Sequence, residues 1–154
     1  MRIKILALGK SKQTFIEAGI KEYLKRLSKY ASVKLEILAD VKLSKTNTVQ
    51  IVKDKEAEII QKHLKDNDFI IALDEYGKQY TSVEFAQILE KQKGRKDITF
   101  IIGGVYGLSD KIIKQADLKL SFSKMTFTHQ MIRLILAEQI YRAFTILEGK
   151  KYHY

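Results

Sequence analysis

The chain has no cysteine, no proline and no tryptophan, and only three histidines. Without cysteine there is no disulfide, no thiolate nucleophile and no sulfur-ligated zinc or iron. Without proline there are no Pro-rich linkers, and no internal repeat or low-complexity segment interrupts the chain. The histidines, at positions 63, 129 and 153, are scattered and lack HExxH spacing, so no metal site is expected. No apolar run reaches the roughly 18 residues of a membrane-spanning helix. The opening "MRIKILALGK" is too short in its apolar part for a signal peptide, and a cytosolic (cytoplasmic) protein is expected.

What is present is enough apolar material for one sizeable core. The hydrophobic share is 45% over 154 residues, and that length argues for a single domain spanning 1–154. The net charge is +10 and lies at the two ends of the chain. Residues 1–30 hold eight Lys/Arg against two acids and residues 98–154 eight against four, whereas residues 31–97 hold twelve of each. A fold that joins the ends would present a basic surface that concentrates polyanions in a salt-sensitive way. Lysines that merely solubilise exposed helix faces are the plainer alternative.

Strand and helix patterns alternate from end to end. "RIKILAL" (2–8) reads as a strand before Gly9, and "TFIE" (14–17) has the form of a capping box. Ile16, Ile20, Tyr23, Leu24 and Leu27 then share one helical face. "VKLEIL" (33–38) alternates like a half-buried strand, and a polar loop (39–48) leads to a helix over about 49–65. "FIIAL" (69–73) and "ITFII" (98–102) are short and wholly apolar, as strands covered on both faces are. A "DEYG" turn and a capped helix (82–93) stand between them. A Gly-rich turn, a short helix opened by Ser109 and Asp110, a strand "LKLSF" (118–122) and a final helix (129–148) follow. The order predicts an α/β fold with a largely parallel sheet. Ligands of such sheets bind outside the carboxyl ends of the strands. That rule directs attention to Gly9–Lys12, Leu73–Gly77, Gly103–Gly107 and Ser121–His129.

"IIGGVYGLSD" (101–110) places three of the eight glycines between a buried strand and a helix start. There a ligand can approach the backbone closely, although a tight turn alone needs the same residues. A nicotinamide site matches poorly, because G-x-G-x-x-G needs a glycine at 102, where Ile stands. In "ALDEYG" (72–77), Asp74 and Glu75 are more simply a turn than a metal pair, while Leu73 offers an apolar wall for a flat ring. "LSFSKMTFTHQ" (120–130) combines hydroxyls for hydrogen bonding with Met125 and Phe127 to cover apolar surface. His129 stands near a helix N-terminus, where the neutral imidazole is favoured, which suits a proton acceptor and equally a bland capping residue. The helix after it is apolar nearly all round, so it is either sunk in its own domain or shared with a second subunit. Glu138 and Arg142, four apart, are placed to pair. In the tail "EGKKYHY", Lys150 and Lys151 suit phosphates, and Tyr152 and His153 suit an unpaired base.

Together, "IIGGVYGLSD", "LSFSKMTFTHQMIRLILAEQIYRAF" and the closing "YH" resemble the small SPOUT methyltransferases of large-subunit ribosomal RNA, in particular those that methylate N3 of a pseudouridine in 23S rRNA. The resemblance runs nearly end to end and takes in "LALGK", "EYLKRL" and "LDEYGK". It implies a homodimer whose C-terminal part is threaded into a trefoil knot that forms the S-adenosylmethionine pocket, with no metal. Carried onto this chain, Leu73, Gly103, Gly104 and Phe122, Ser123, Lys124, Met125, Thr126 and Phe127 would line that pocket. His129, Arg133, Tyr152 and His153 would lie near the target base, with Arg133, Lys150 and Lys151 toward RNA. His129, Tyr152 and His153 are then the candidates for managing the proton on N3. The tail or the basic face of one subunit would complete the site of the other, on free 23S rRNA, a precursor or the assembled ribosome. Two positions depart from the family pattern: Thr128 stands where proline is usual, and Tyr154 where a basic residue is. A non-catalytic RNA-binding module and a nucleotide-dependent oxidoreductase are the competing classes.

Overall fold

The computed structural model describes residues 1–153, and Tyr154 lies outside the described residues. Five strands alternate with five helices: β1 (Arg2–Leu8), α1 (Thr14–Leu27), β2 (Ser32–Leu38), α2 (Val49–Gln61), β3 (Phe69–Gln79), α3 (Ser82–Gln92), β4 (Ile98–Ile102), α4 (Asp110–Gln115), β5 (Leu118–Ser121) and α5 (Met131–Leu147). The strands form one sheet in the order β2-β1-β4-β3-β5, and every neighbouring pair is parallel. The α/β expectation is met. Central β4 is buried at all five positions, as its unbroken "ITFII" requires. Edge strand β2 is exposed or half-buried along most of its length and buries only Leu38.

Side chains alternate between two cores, one on each side of the sheet. Ile3, Ile5, Ile71, Phe100 and Ile102 face α1, α3 and α5, whereas Leu6, Leu8, Ala72 and Ile101 face α2 and α4. Helix α5 lies between α1 and α3 on the first face. It buries Leu136, Ala137, Ile140, Ala143 and Phe144, while Leu134, Ile135 and Tyr141 stay half-exposed. Contact with α1 is close: a Cβ on Gly19 would meet Leu134 Cδ1 at 2.7 Å. Arg142 and Glu138 pair at 2.7 Å, as their spacing predicts.

Two local expectations are corrected. The "TFIE" box does not form: Gln13 is the N-cap of α1, makes no side-chain cap, and takes the first turn's amides on its carbonyl. Thr14 is already inside the helix. Nor does "DEYG" end the strand, since β3 runs on to Gln79 with a register shift between Leu73 and Lys78. The shift lets β3 pair with β5 twice, and Gly77 permits it, because a Cβ there would meet the Lys119 and Leu120 backbone at 2.8 Å.

Because all strands run the same way, the segments after β1, β3, β4 and β5 emerge at one edge of the sheet. The Arg133 guanidinium ties α5 to that edge. It donates to the carbonyl oxygens of Leu8 and Gly9, and to that of His129 at 3.0 Å.

Candidate active site

A cavity of about 890 Å³ opens at the carboxyl edge. Leu73, Ile102, Leu120 and Phe122 form its apolar walls, and the glycine loop and the 121–130 segment its rims. Phe122 is held edge-on to Phe85, at 6.5 Å between ring centroids. The glycine loop folds back on itself: Gly104 and Gly107 bridge, and Gly107 has φ +76°. Gly103 admits no side chain, because a Cβ would lie 2.7 Å from the Gly107 carbonyl carbon. Ser109 ends the loop by capping α4, its hydroxyl accepting from the Ile112 amide.

The 121–130 segment is shaped by its own hydroxyls. Ser121 Oγ donates to the Ser123 carbonyl, Ser123 Oγ accepts from the Met125 amide at 2.9 Å, and Thr128 Oγ1 accepts from the Met131 amide at 3.1 Å. Thr128 thus bonds the first amide of α5, while Gln130, which directly precedes the helix, makes no side-chain cap. Gln130 Oε1 accepts from Ser11 Oγ and the Lys12 amide, which brings the β1–α1 connection against the cavity. Leu73, Gly103, Gly104, Phe122, Ser123, Met125, Thr126, Phe127 and His129 all line the cavity, and so do Gln13, Phe15 and Ile16. Lys124 is exposed and is not in the lining.

His129 is half-buried just before α5. Burial, and then the neighbouring Arg133 charge, lower its pKa below the ordinary histidine value, against an opposing pull from Asp40. The imidazole is thereby kept neutral at neutral pH. Arg133 is 1% exposed, with its guanidinium engaged on three backbone carbonyls, so it faces inward and not toward RNA.

A second, smaller pocket of about 190 Å³ adjoins the first and shares Gly104, Val105 and His129 with it. Asp40, Lys42, Glu56 and Tyr106 complete much of its lining. Glu56 is 4% exposed; its Oε1 accepts from the Val41 amide at 3.1 Å, and its Oε2 has no partner. Burial raises the Glu56 pKa, the Val41 bond lowers it, and Asp40 adds to the rise. Sequence reading missed Glu56, although a signal existed: it falls with Val52, Ala57 and Ile60 on the buried face of α2.

The tail is elsewhere. Tyr152 packs edge-on against Tyr141 at 4.9 Å, shares a contact with Tyr23, and donates to Glu138 Oε1 at 3.1 Å. Burial, and then the Tyr23 contact, push its phenol well above the usual tyrosine range, so it stays protonated. Lys150 lies over the Tyr30 ring. None of Lys150, Lys151, Tyr152 and His153 lines the cavity of its own chain. Among the described residues no group of three or more acids and histidines gathers as a metal site, and no helix is long and apolar enough to cross a membrane.

A parallel α/β sheet with a cavity at its carboxyl edge, walled by apolar side chains and folded-back glycines, is the arrangement in which α/β proteins bind nucleotides and organic cofactors. Comparison narrows this. A family model described as "Predicted SPOUT methyltransferase" matches residues 1–153, and the chain belongs to that family of methyltransferases. Ribosomal RNA large subunit methyltransferase H of Clostridium botulinum (strain Kyoto / Type A2) is 48% identical, with 99% of each chain covered. The protein of that name from Christiangramia forsetii is 44% identical, over 100% of this chain and 99% of its own. Among solved structures, a probable methylase family protein from Haemophilus influenzae Rd KW20 shares the fold, with a TM-score of 0.55 at 13% identity. The match covers 99% of this chain and 70% of that one.

Proposed function

We propose that the protein methylates N3 of a pseudouridine in 23S rRNA of the large ribosomal subunit, with S-adenosylmethionine as donor. The observation that carries this reading is the 890 Å³ cavity, with His129 on the wall that it shares with the second pocket. The cavity residues fit the donor: apolar Leu73 and Phe122 suit a flat ring, and the Gly103–Gly107 turn brings backbone within reach of polar groups. When bound there, S-adenosylmethionine would supply an activated sulfonium methyl group for transfer to N3, with S-adenosylhomocysteine as the leaving product.

The chain has two tasks. Gly103, Gly104 and the cavity-lining residues Phe122, Ser123, Met125, Thr126 and Phe127 hold the donor in place, and such positioning contributes several kcal/mol. Neutral His129 takes the N3 proton, since it is the titratable group shared by both pockets. Arg133 serves by fixing the His129 carbonyl, and with it the ring. Lys150, Lys151, Tyr152 and His153 meet RNA, in the site of a partner subunit and not in their own. That arrangement requires a homodimer, for which exposed Phe15, Val105, Met125 and Phe127 at the cavity mouth provide apolar surface. The trefoil knot inferred from the resemblance fits the closing of three loops around one cavity, and rRNA as substrate fits a cytoplasmic location.

The test is transfer of labelled methyl to ribosomes lacking the modification, with the product nucleoside identified. Label at N3 of one pseudouridine is expected. Tight binding of donor and ribosome without transfer would instead mark a non-catalytic module.

A further inference from the structure

We propose that the small pocket beside the cofactor cavity receives the target base, and that Glu56 on its wall selects pseudouridine over uridine. The assignment rests on the function proposed above and adds to it a residue that chooses the substrate.

One buried carboxylate oxygen in this pocket's wall lacks a partner. Glu56 Oε1 is held by the Val41 amide, whereas Oε2 is buried and makes no hydrogen bond. Leaving a buried carboxylate oxygen unsatisfied is costly, and the structure gains no compensating ion pair from it. Such an oxygen is accounted for when a ligand brings the missing donor. Glu56 belongs to the lining of the small pocket, and the missing side chain at Gly104 leaves room beside its carboxylate. A Cβ at Gly104 would lie 3.2 Å from Oε1 and 3.3 Å from Oε2, so any larger residue there would crowd the carboxylate from the side of the shared wall.

The pocket has the right size and neighbours. Its 190 Å³ exceeds the roughly 150 Å³ that accommodates a benzene ring in a protein interior. His129 borders both this pocket and the cofactor cavity, so a ring in the pocket shares a wall with the cavity and meets Glu56 in the same lining. Lys42, Asp40 and Tyr106 give the pocket a polar and charged lining that suits a nucleotide better than an apolar guest.

Chemistry then selects the base. Pseudouridine and uridine present the same O2, N3 and O4 groups. They differ where pseudouridine carries N1–H and uridine carries C5–H. A hydrogen-bond acceptor is the group that distinguishes these two, and Oε2 is a free acceptor. With pseudouridine the N1–H donates to Oε2; with uridine a C–H faces the same oxygen, which stays unsatisfied. Sites built to bond a substrate N–H reject analogues that lack it by factors of about 10² or more.

The deciding comparison is between the full-length wild type and Glu56→Gln, on large subunits carrying either pseudouridine or uridine at the target. The Gln variant keeps the side-chain size and the acceptor for Val41, but turns an amide N–H toward the base. We expect the kcat/KM ratio of pseudouridine to uridine to fall by about 10², with S-adenosylmethionine affinity unchanged and the melting temperature held or raised. An unchanged ratio in a folded variant overturns the assignment. So does a parallel loss of S-adenosylmethionine affinity, which would put Glu56 in the donor site. If the wild type itself methylates neither substrate, the proposed function fails first and takes this assignment with it.

Discussion

His129 and Arg133 stand four residues apart, are both basic, and have opposite surroundings. Arg133 is buried because its donors find three carbonyls, those of Leu8 at the end of β1, of Gly9 just after it and of His129. Removing it would strand those oxygens, so it is held in place by the fold. His129 is only half-buried, and that burial, followed by the adjacent guanidinium, favours its neutral form. A histidine whose folded pKa is lowered loses its acceptor form only when pH falls below that value, which here is under 6.5. Single-turnover methyl transfer should therefore rise with pH along a limb whose midpoint lies below pH 6.5. In His129→Ala that limb should vanish, and the plateau should drop by about 10²–10⁴. A variant that keeps both limb and plateau would remove His129 from proton transfer. Sequence marked His129 because the residue type and its place at a helix start were visible. Glu56 escaped notice because its meaning lies in Val41 and Gly104, one fifteen and the other forty-eight residues away.

At the scale of elements, two similar strings behave differently. "TFIE" and "TSVE" both have the Ser/Thr-x-x-Glu form, yet only Thr81 and Glu84 exchange both bonds of a capping box. At α1 the start moves one residue earlier, and Thr14 becomes an ordinary first-turn residue. Thr81→Ala should cost about 1 kcal/mol of stability, while Thr14→Ala should stay within about 0.5 kcal/mol of wild type. Urea unfolding of the two variants measures the difference, and equal losses would contradict the assignment of the α1 cap. The same contrast explains which elements were legible. Buried strands β3 and β4 and the apolar α5 announced themselves by composition, since nothing else could cover them. The extension of β3 through "DEYG" did not, because it depends on Gly77 meeting the β5 backbone, a pairing that no local pattern contains.

The whole molecule presents a cavity at one end of α5 and an aromatic clasp that holds the tail partway along it. Tyr152 is fixed by Tyr23, Glu138 and Tyr141, and the ring of Tyr152 also lies under Arg142 at 4.9 Å. Helix α5 rises about 1.5 Å per residue, so a tail fastened at positions 138–142 sits well removed from His129 on the same chain. The proposed homodimer resolves this by letting the tail of one subunit serve the other's cavity, and such an arrangement can be tested by complementation. Protein carrying His129→Ala has an intact tail, and protein truncated after Gly149 has an intact His129; each alone should be nearly inactive. Random mixing makes half of the dimers mixed, and each mixed dimer then holds one site with an intact His129 facing an intact partner tail. Activity should therefore recover to about a quarter of wild type on subunit exchange. If the tail instead serves its own chain, no mixed dimer contains a complete site, and mixing restores nothing. The readout needs only labelled methyl transfer before and after exchange, with donor affinity of the truncated protein as the check that its cavity remains formed.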